Sequence, residues 1–138
     1  MSKKYKIILD EKQLKTLLKS TEAFSRICTG QIEYAISEGW CEKIFKLPIQ
    51  VKDSLRDNFK AIANILSDGQ FNGHNASYGI YNEEIDKHAA TAYNINQVIR
   101  HHIWKENGST EGPVSFTRDS SVCITNGETL IEIENIPE

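Results

Sequence analysis

At 138 residues, with 39% apolar and 25% charged side chains, the chain has the size and composition of one folded domain, and global disorder does not fit those figures. Its formal net charge of −3 argues against gripping long nucleic acid, which depends on many phosphate contacts, although one local arginine pair suffices for a small anion. No stretch approaches the roughly 20 apolar residues that span a bilayer, and Ile7-Ile8-Leu9 is too short for a signal-peptide core, so a single cytoplasmic domain is expected. In that setting the sequons at Asn75 and Asn107 carry no glycosylation meaning.

Taken in chain order, Tyr5 to Leu9 is β-branched and apolar enough for a short strand. Asp10 with Gln13 three residues on forms a capping box, so a helix is expected to start there. Leu14, Leu17, Leu18, Thr21, Phe24, Ile27, Cys28, Gln31, Ile32 and Ala35 then recur at helical spacing, with Gly39 as the stop. Gly30 falls inside that stripe at a cost of about 1 kcal/mol relative to alanine. Either close packing on a partner helix or room for a ligand beside Arg26 and Gln31 would offset it.

Trp40 to Gln50 reads as a connector, and Asp53 or Ser54 as the cap of a second helix whose apolar face is Leu55, Phe59, Ile62, Ala63 and Leu66. Ser67-Asp68-Gly69 stops it. Gln70 to Tyr81 is rich in glycine and asparagine, lacks periodicity and reads as a loop. Asn82 offers a cap for a third helix, with Glu83 and Glu84 in its first turn. Ile85, His88, Ala92, Ile95, Ile99 and Ile103 mark one face of it, and Asn107-Gly108 its end. Beyond Pro113 the pattern turns to period two. Val122 to Thr125 meets Glu128 to Ile131 across Asn126-Gly127, a strong hairpin signal. The expected class is α+β: an N-terminal strand, three helices and a small C-terminal antiparallel meander.

The stretch from Phe71 to Trp104 carries the chemistry. On the third predicted helix Tyr93, Gln97, Arg100 and Trp104 fall within a narrow arc, with His101 at its edge. Their bland reading is an arginine–tryptophan stack against a neighbour. Their functional reading is a nucleotide surface, in which Trp104 and Tyr93 are shelves for a base and Arg100 is a forked donor to phosphate. The loop adds Phe71, His74, Asn75, Ser77 and Tyr78, with Gly73 and Gly79 allowing close approach of backbone amides.

Four histidines, His74, His88, His101 and His102, come with no HExxH and no nearby ligand pair, so no metal or cofactor is expected. The three cysteines, Cys28, Cys41 and Cys123, have no CxxC spacing and read as inert reduced thiols. No GxSxG, P-loop or paired acidic motif is present, and no catalytic residue is assigned.

Tyr78-Gly79-Ile80, the run from Ala92 to His101, Trp104, and the pieces Ser25-Arg26-Ile27 and Gly30-Gln31 resemble segments of small bacteriophage and prophage proteins. Some of those are similar to the Thoeris anti-defence sponges, which sequester cyclic ADP-ribose isomers made by bacterial TIR enzymes without cleaving them; some also hold cyclic oligonucleotides. The resemblance implies a phage-encoded, non-catalytic binding protein that works inside the host cell as a dimer or higher homo-oligomer, with no membrane or long nucleic acid as partner. Arg26 and Gln31 join the expected ligand set with Tyr78, Tyr93, Gln97, Arg100, His101 and Trp104, while Phe71, His74, Asn75, Ser77 and Arg118 rest on residue chemistry alone. Two other readings stay open. One is a small nucleotide-processing enzyme using His74, His101 or His102; the other is an interaction module that inhibits a host protein through a Trp104 hot spot.

Overall fold

The structure is a computed structural model that describes residues 3–33, 46–69, 78–107 and 127–137. Among these residues there are three helices, α1 (Glu11–Cys28), α2 (Ile49–Leu66) and α3 (His88–Glu106), and no strand. The expected α+β class is therefore corrected. A strand needs a neighbour for its N–H and C=O groups. Residues 5–9 form no helix or strand and make no backbone–backbone hydrogen bond among the described residues, and Tyr5, Ile7 and Ile8 are largely exposed. The first half of the expected hairpin, Val122 to Asn126, lies outside the described residues, as does Gly108 to Ser121. Its second half runs beside α3, with no ladder bond among the described residues.

The capping box of α1 forms as the sequence dictates. Asp10 Oδ1 accepts from the Gln13 amide at 2.7 Å, and Gln13 Oε1 accepts from the Asp10 amide at 2.9 Å. The helix ends much earlier than its apolar stripe. Gly30 is not interior: it takes φ +88° directly after the cap residue Thr29. The Gly30 amide donates to Ile27 O at 3.0 Å and the Gln31 amide to Arg26 O at 2.9 Å, the two bonds of a Schellman stop. Gly39 and Ala35 lie outside the described residues.

α2 begins after Pro48, ahead of the expected Asp53 or Ser54 cap, and has no side-chain cap. Proline serves there because the helix's first amides need no intrahelical partner and its φ is already helical. Ser67-Asp68-Gly69 stops it as expected, Asp68 taking φ 55° while the Gly69 amide donates to Asn64 O at 2.8 Å. Of its expected apolar face only Ala63 is buried; Leu55 and Phe59 are half-buried, and Ile62 and Leu66 are exposed.

α3 starts at His88 rather than after Asn82. Asn82 instead closes a short turn by accepting from the Glu84 amide, and Asp86 Oδ1 accepts from the His88 amide at 2.8 Å. α1 and α3 pack on each other. They run antiparallel, since Asn96 Nδ2 donates to Leu18 O at 2.9 Å while Cys28 lies near Asp86. The seam is built from small and polar residues: Thr21 and Ser25 on α1, and Ala89, Ala92 and Asn96 on α3, are all buried. Thr21 Oγ1 and Ser25 Oγ donate to carbonyls of their own helix, so their hydroxyls are satisfied inside the seam. Leu17, Phe24 and Ile27 of the expected stripe are exposed instead.

The C-terminal segment is tied to α3 at two points. Glu128 accepts from Thr91 Oγ1 at 2.6 Å through one carboxylate oxygen and from Asn94 Nδ2 at 3.2 Å through the other. Further on, Asn135 Nδ2 donates to Glu106 at 2.7 Å, and its Oδ1 lies 3.1 Å from His102 Nε2. The segment thus follows the direction of α3.

Candidate functional site

The Schellman stop that ends α1 also builds one wall of a cleft. In that motif the residue after the left-handed glycine returns beside the last turn, which sets Gln31 against Arg26. Arg26 Nη1 donates to Gln31 Oε1 at 2.7 Å, and its Nε and Nη2 donate to Glu22 Oε1, both at 3.2 Å. The cap residue Thr29 then holds the incoming chain, its carbonyl accepting from the Tyr78 amide at 2.9 Å. This brings Tyr78 and Ile80 to the C-terminal end of α1, opposite the α3 residues Tyr93, Asn96 and Arg100.

The cleft so formed has a volume of about 240 Å³ and is lined by Glu22, Ser25, Arg26, Thr29, Gln31, Tyr78, Ile80, Tyr93, Asn96 and Arg100. Two guanidinium groups face one carboxylate, so the cleft carries a local positive excess on a chain whose net charge is −3. Tyr93 is the most open of the aromatic groups, 37% exposed. A larger hollow of about 430 Å³ lies along Glu11, Lys12, Lys15, Thr16 and Lys19. Its lining comes from one exposed helix face, with no second element to close it, and it offers only solvated side chains.

Of the residues expected from the sequence, Arg26, Gln31, Tyr78, Tyr93 and Arg100 meet in this cleft. Gln97, His101 and Trp104 do not line it. Trp104 is 6% exposed, so its ring belongs to the body of the protein and is no open shelf; it stacks on His101 at 5.7 Å between centroids. Its Nε1 is buried and has no hydrogen-bond partner among the described residues. Phe71, His74, Asn75, Ser77 and Arg118 lie outside the described residues.

Glu22, Ser25, Thr29, Ile80 and Asn96 complete the lining without having been singled out from the sequence. For two of them a signal existed. Glu22 sits four residues before Arg26, the spacing of a helical ion pair. At 100° per residue Asn96 stands about 60° to one side of Tyr93 and Gln97 about 40° to the other, so periodicity admits either. Packing turns Gln97 inward and Asn96 toward both the cleft and Leu18 O.

Among the described residues no three His, Cys, Asp or Glu side chains gather as a metal site. The Cys28 thiol is pushed up, first by burial and then by the nearby Asp86 carboxylate. No helix among the described residues is long and apolar enough to cross a membrane. No family model matches the chain, and neither a curated protein nor a solved structure matches it.

Proposed function

We propose that the protein is a phage anti-defence sponge that binds a nucleotide immune signal, a cyclic ADP-ribose isomer or a cyclic oligonucleotide, and withholds it from its receptor without cleaving it. The observation that carries the reading is the convergence of two arginines, two tyrosines and two carboxamides on one cleft. Arginine forks suit phosphate oxygens, tyrosine rings suit the face of a base, and carboxamides suit base edges and ribose hydroxyls. Eight of the ten lining residues lie in the segments that resemble anti-defence proteins, Glu22 and Thr29 being the others.

Small-ligand pockets commonly enclose about 300–1,000 Å³. A cleft of about 240 Å³ therefore seats part of such a ligand: one phosphate with the adjoining ribose or base. Arg100 is the principal phosphate donor in this reading. Arg26, already shared between Glu22 and Gln31, orients the second side of the site. The protein acts in the cytoplasm of the infected cell, as a homo-oligomer. A sponge that competes at nanomolar concentration needs about −12 kcal/mol of binding free energy.

Calorimetry with cyclic ADP-ribose isomers and cyclic dinucleotides tests this. At least one is expected to bind with micromolar or tighter affinity, and Arg100→Ala is expected to weaken it by about 10- to 100-fold, the loss of a charge-assisted contact of about 1.5–3 kcal/mol. The ligand recovered after denaturation should be intact. Absence of heat with every probe, at protein concentrations far above micromolar, would overturn the reading, and recovery of altered ligand would replace it with an enzyme.

A further inference from the structure

Two extended segments reach the same end of the α1·α3 pair. Residues 3–9 lead into the N-terminus of α1; because the two helices are antiparallel, that end is also where residues 131–137 finish, beside His102 and Glu106. Neither segment makes a backbone–backbone hydrogen bond among the described residues. On the arm, Tyr5, Ile7 and Ile8 are 82%, 76% and 70% exposed. Extended backbone with unpaired N–H and C=O groups beside apolar side chains is a template for another chain.

The two segments are complementary in charge and in pattern. The arm carries Lys4 and Lys6, the tail Glu132 and Glu134, all within otherwise apolar runs. Laid antiparallel with Lys6 opposite Glu132, the arm also sets Lys4 opposite Glu134, Ile7 opposite Ile131, Tyr5 opposite Ile133 and Ile8 opposite Leu130. One register thus places Lys4 and Lys6 on carboxylates, Lys3 on the Asn135 carboxamide, and each of those apolar residues on another. Alternate residues of an extended chain share a face, so the charged pairs fall on one side and Tyr5, Ile7, Ile131 and Ile133 on the other. A parallel arrangement with Lys4 opposite Glu132 keeps both charge pairs but sets Lys3 against Ile131 and Ile7 against Asn135, two mismatches that the antiparallel register avoids.

We propose that the arm of one copy pairs, antiparallel and in this register, with the tail of a second copy, and that the reciprocal pair closes the assembly. The chain's own fold stays three-helical; the ladder belongs to the interface. Within one chain the root of the arm is held by the Asp10 capping box and the tail by Glu128 and Asn135, and no backbone–backbone hydrogen bond joins the two segments among the described residues. A second copy brings its arm without that constraint. Among the described residues Ile99 and Trp104 are the only large apolar side chains that are buried, whereas sixteen are exposed, so the chain has apolar surface to place in an interface. The cleft is separate: Arg26 stands sixteen residues along α1 from Asp10, about 24 Å away.

Sedimentation at tens of micromolar protein, with circular dichroism as a check on folding, tests the proposal. The wild-type chain is expected to be a dimer or a larger closed assembly. Lys4→Glu/Lys6→Glu and Glu132→Lys/Glu134→Lys should each give monomers, and their equimolar mixture should associate again, because each arm then meets the other chain's tail. Pairing inside one chain is not restored by mixing. Ile7→Glu, a single change on an exposed side chain, should also weaken association. A monomeric wild type, charge variants that associate like wild type, or failure of the mixture to recover would each overturn the proposal.

Discussion

Arg26 holds two side chains through one guanidinium, the Glu22 carboxylate four residues before it and the Gln31 amide five residues after it. The ion pair is partly exposed and contributes at most about 1 kcal/mol to folding. Its effect is on geometry, since it fixes which donors of Arg26 are spent and which side of the fork looks across at Arg100. A neighbouring residue at the same end of α1 shows what burial does to chemistry. The Cys28 thiol is raised above its ordinary value by burial, with Asp86 adding to it, and so stays protonated at neutral pH. At alkaline pH, between the ordinary and the raised value, the folded chain keeps a proton that the unfolded chain releases. Cys28's contribution to stability is intact below the ordinary thiol range and falls as pH rises through the folded value. Asp86→Asn keeps the oxygen that accepts from the His88 amide but removes the charge. Faster iodoacetamide labelling of Cys28, read by peptide mass spectrometry, is expected; an unchanged rate would leave burial as the whole cause.

At the scale of elements, the stops of α2 and α3 and the capping box of α1 were legible because each is closed by bonds spanning no more than five residues. Gly30 was legible as a costly residue but not as a stop, because the apolar spacing of α1 continues past it in Gln31, Ile32 and Ala35. Its φ of +88° turns the cost into a requirement. Gly30→Ala is expected to lower stability by about 1 kcal/mol in denaturant unfolding, with Gly30→Asn milder because asparagine tolerates the left-handed region. Both should weaken nucleotide binding by more than the stability loss explains, since Gln31 is placed by that turn. Equal affinity in a folded Gly30→Ala chain would separate the turn from the site. The helix starts were less legible: proline before α2 and Asp86 before α3 serve in place of the expected caps, Asp53 or Ser54 and Asn82.

In the molecule as a whole, the C-terminal segment is held by side chains where a ladder was expected. Glu128 grips Thr91 and Asn94, one turn apart on α3, and its removal takes an acceptor away from the buried Asn94. Glu128→Ala is expected to cost about 1–2 kcal/mol. Amide exchange should rise in residues 127–135 while α1 keeps its protection; unchanged exchange there would show that the clasp does not hold the segment. The sequence by itself determined where α2 and α3 stop, the capping box of α1, and five of the residues that meet in the cleft, because those features rest on residue type and near-neighbour bonds. Only the tertiary structure decided that Trp104 and Gln97 turn inward while Tyr93, Asn96 and Arg100 line the cleft, and that residues 5–9 and 128–131 form no strand among the described residues. Helical spacing defines an arc but not its cover, and a strand-forming segment becomes a strand only when another backbone is within reach.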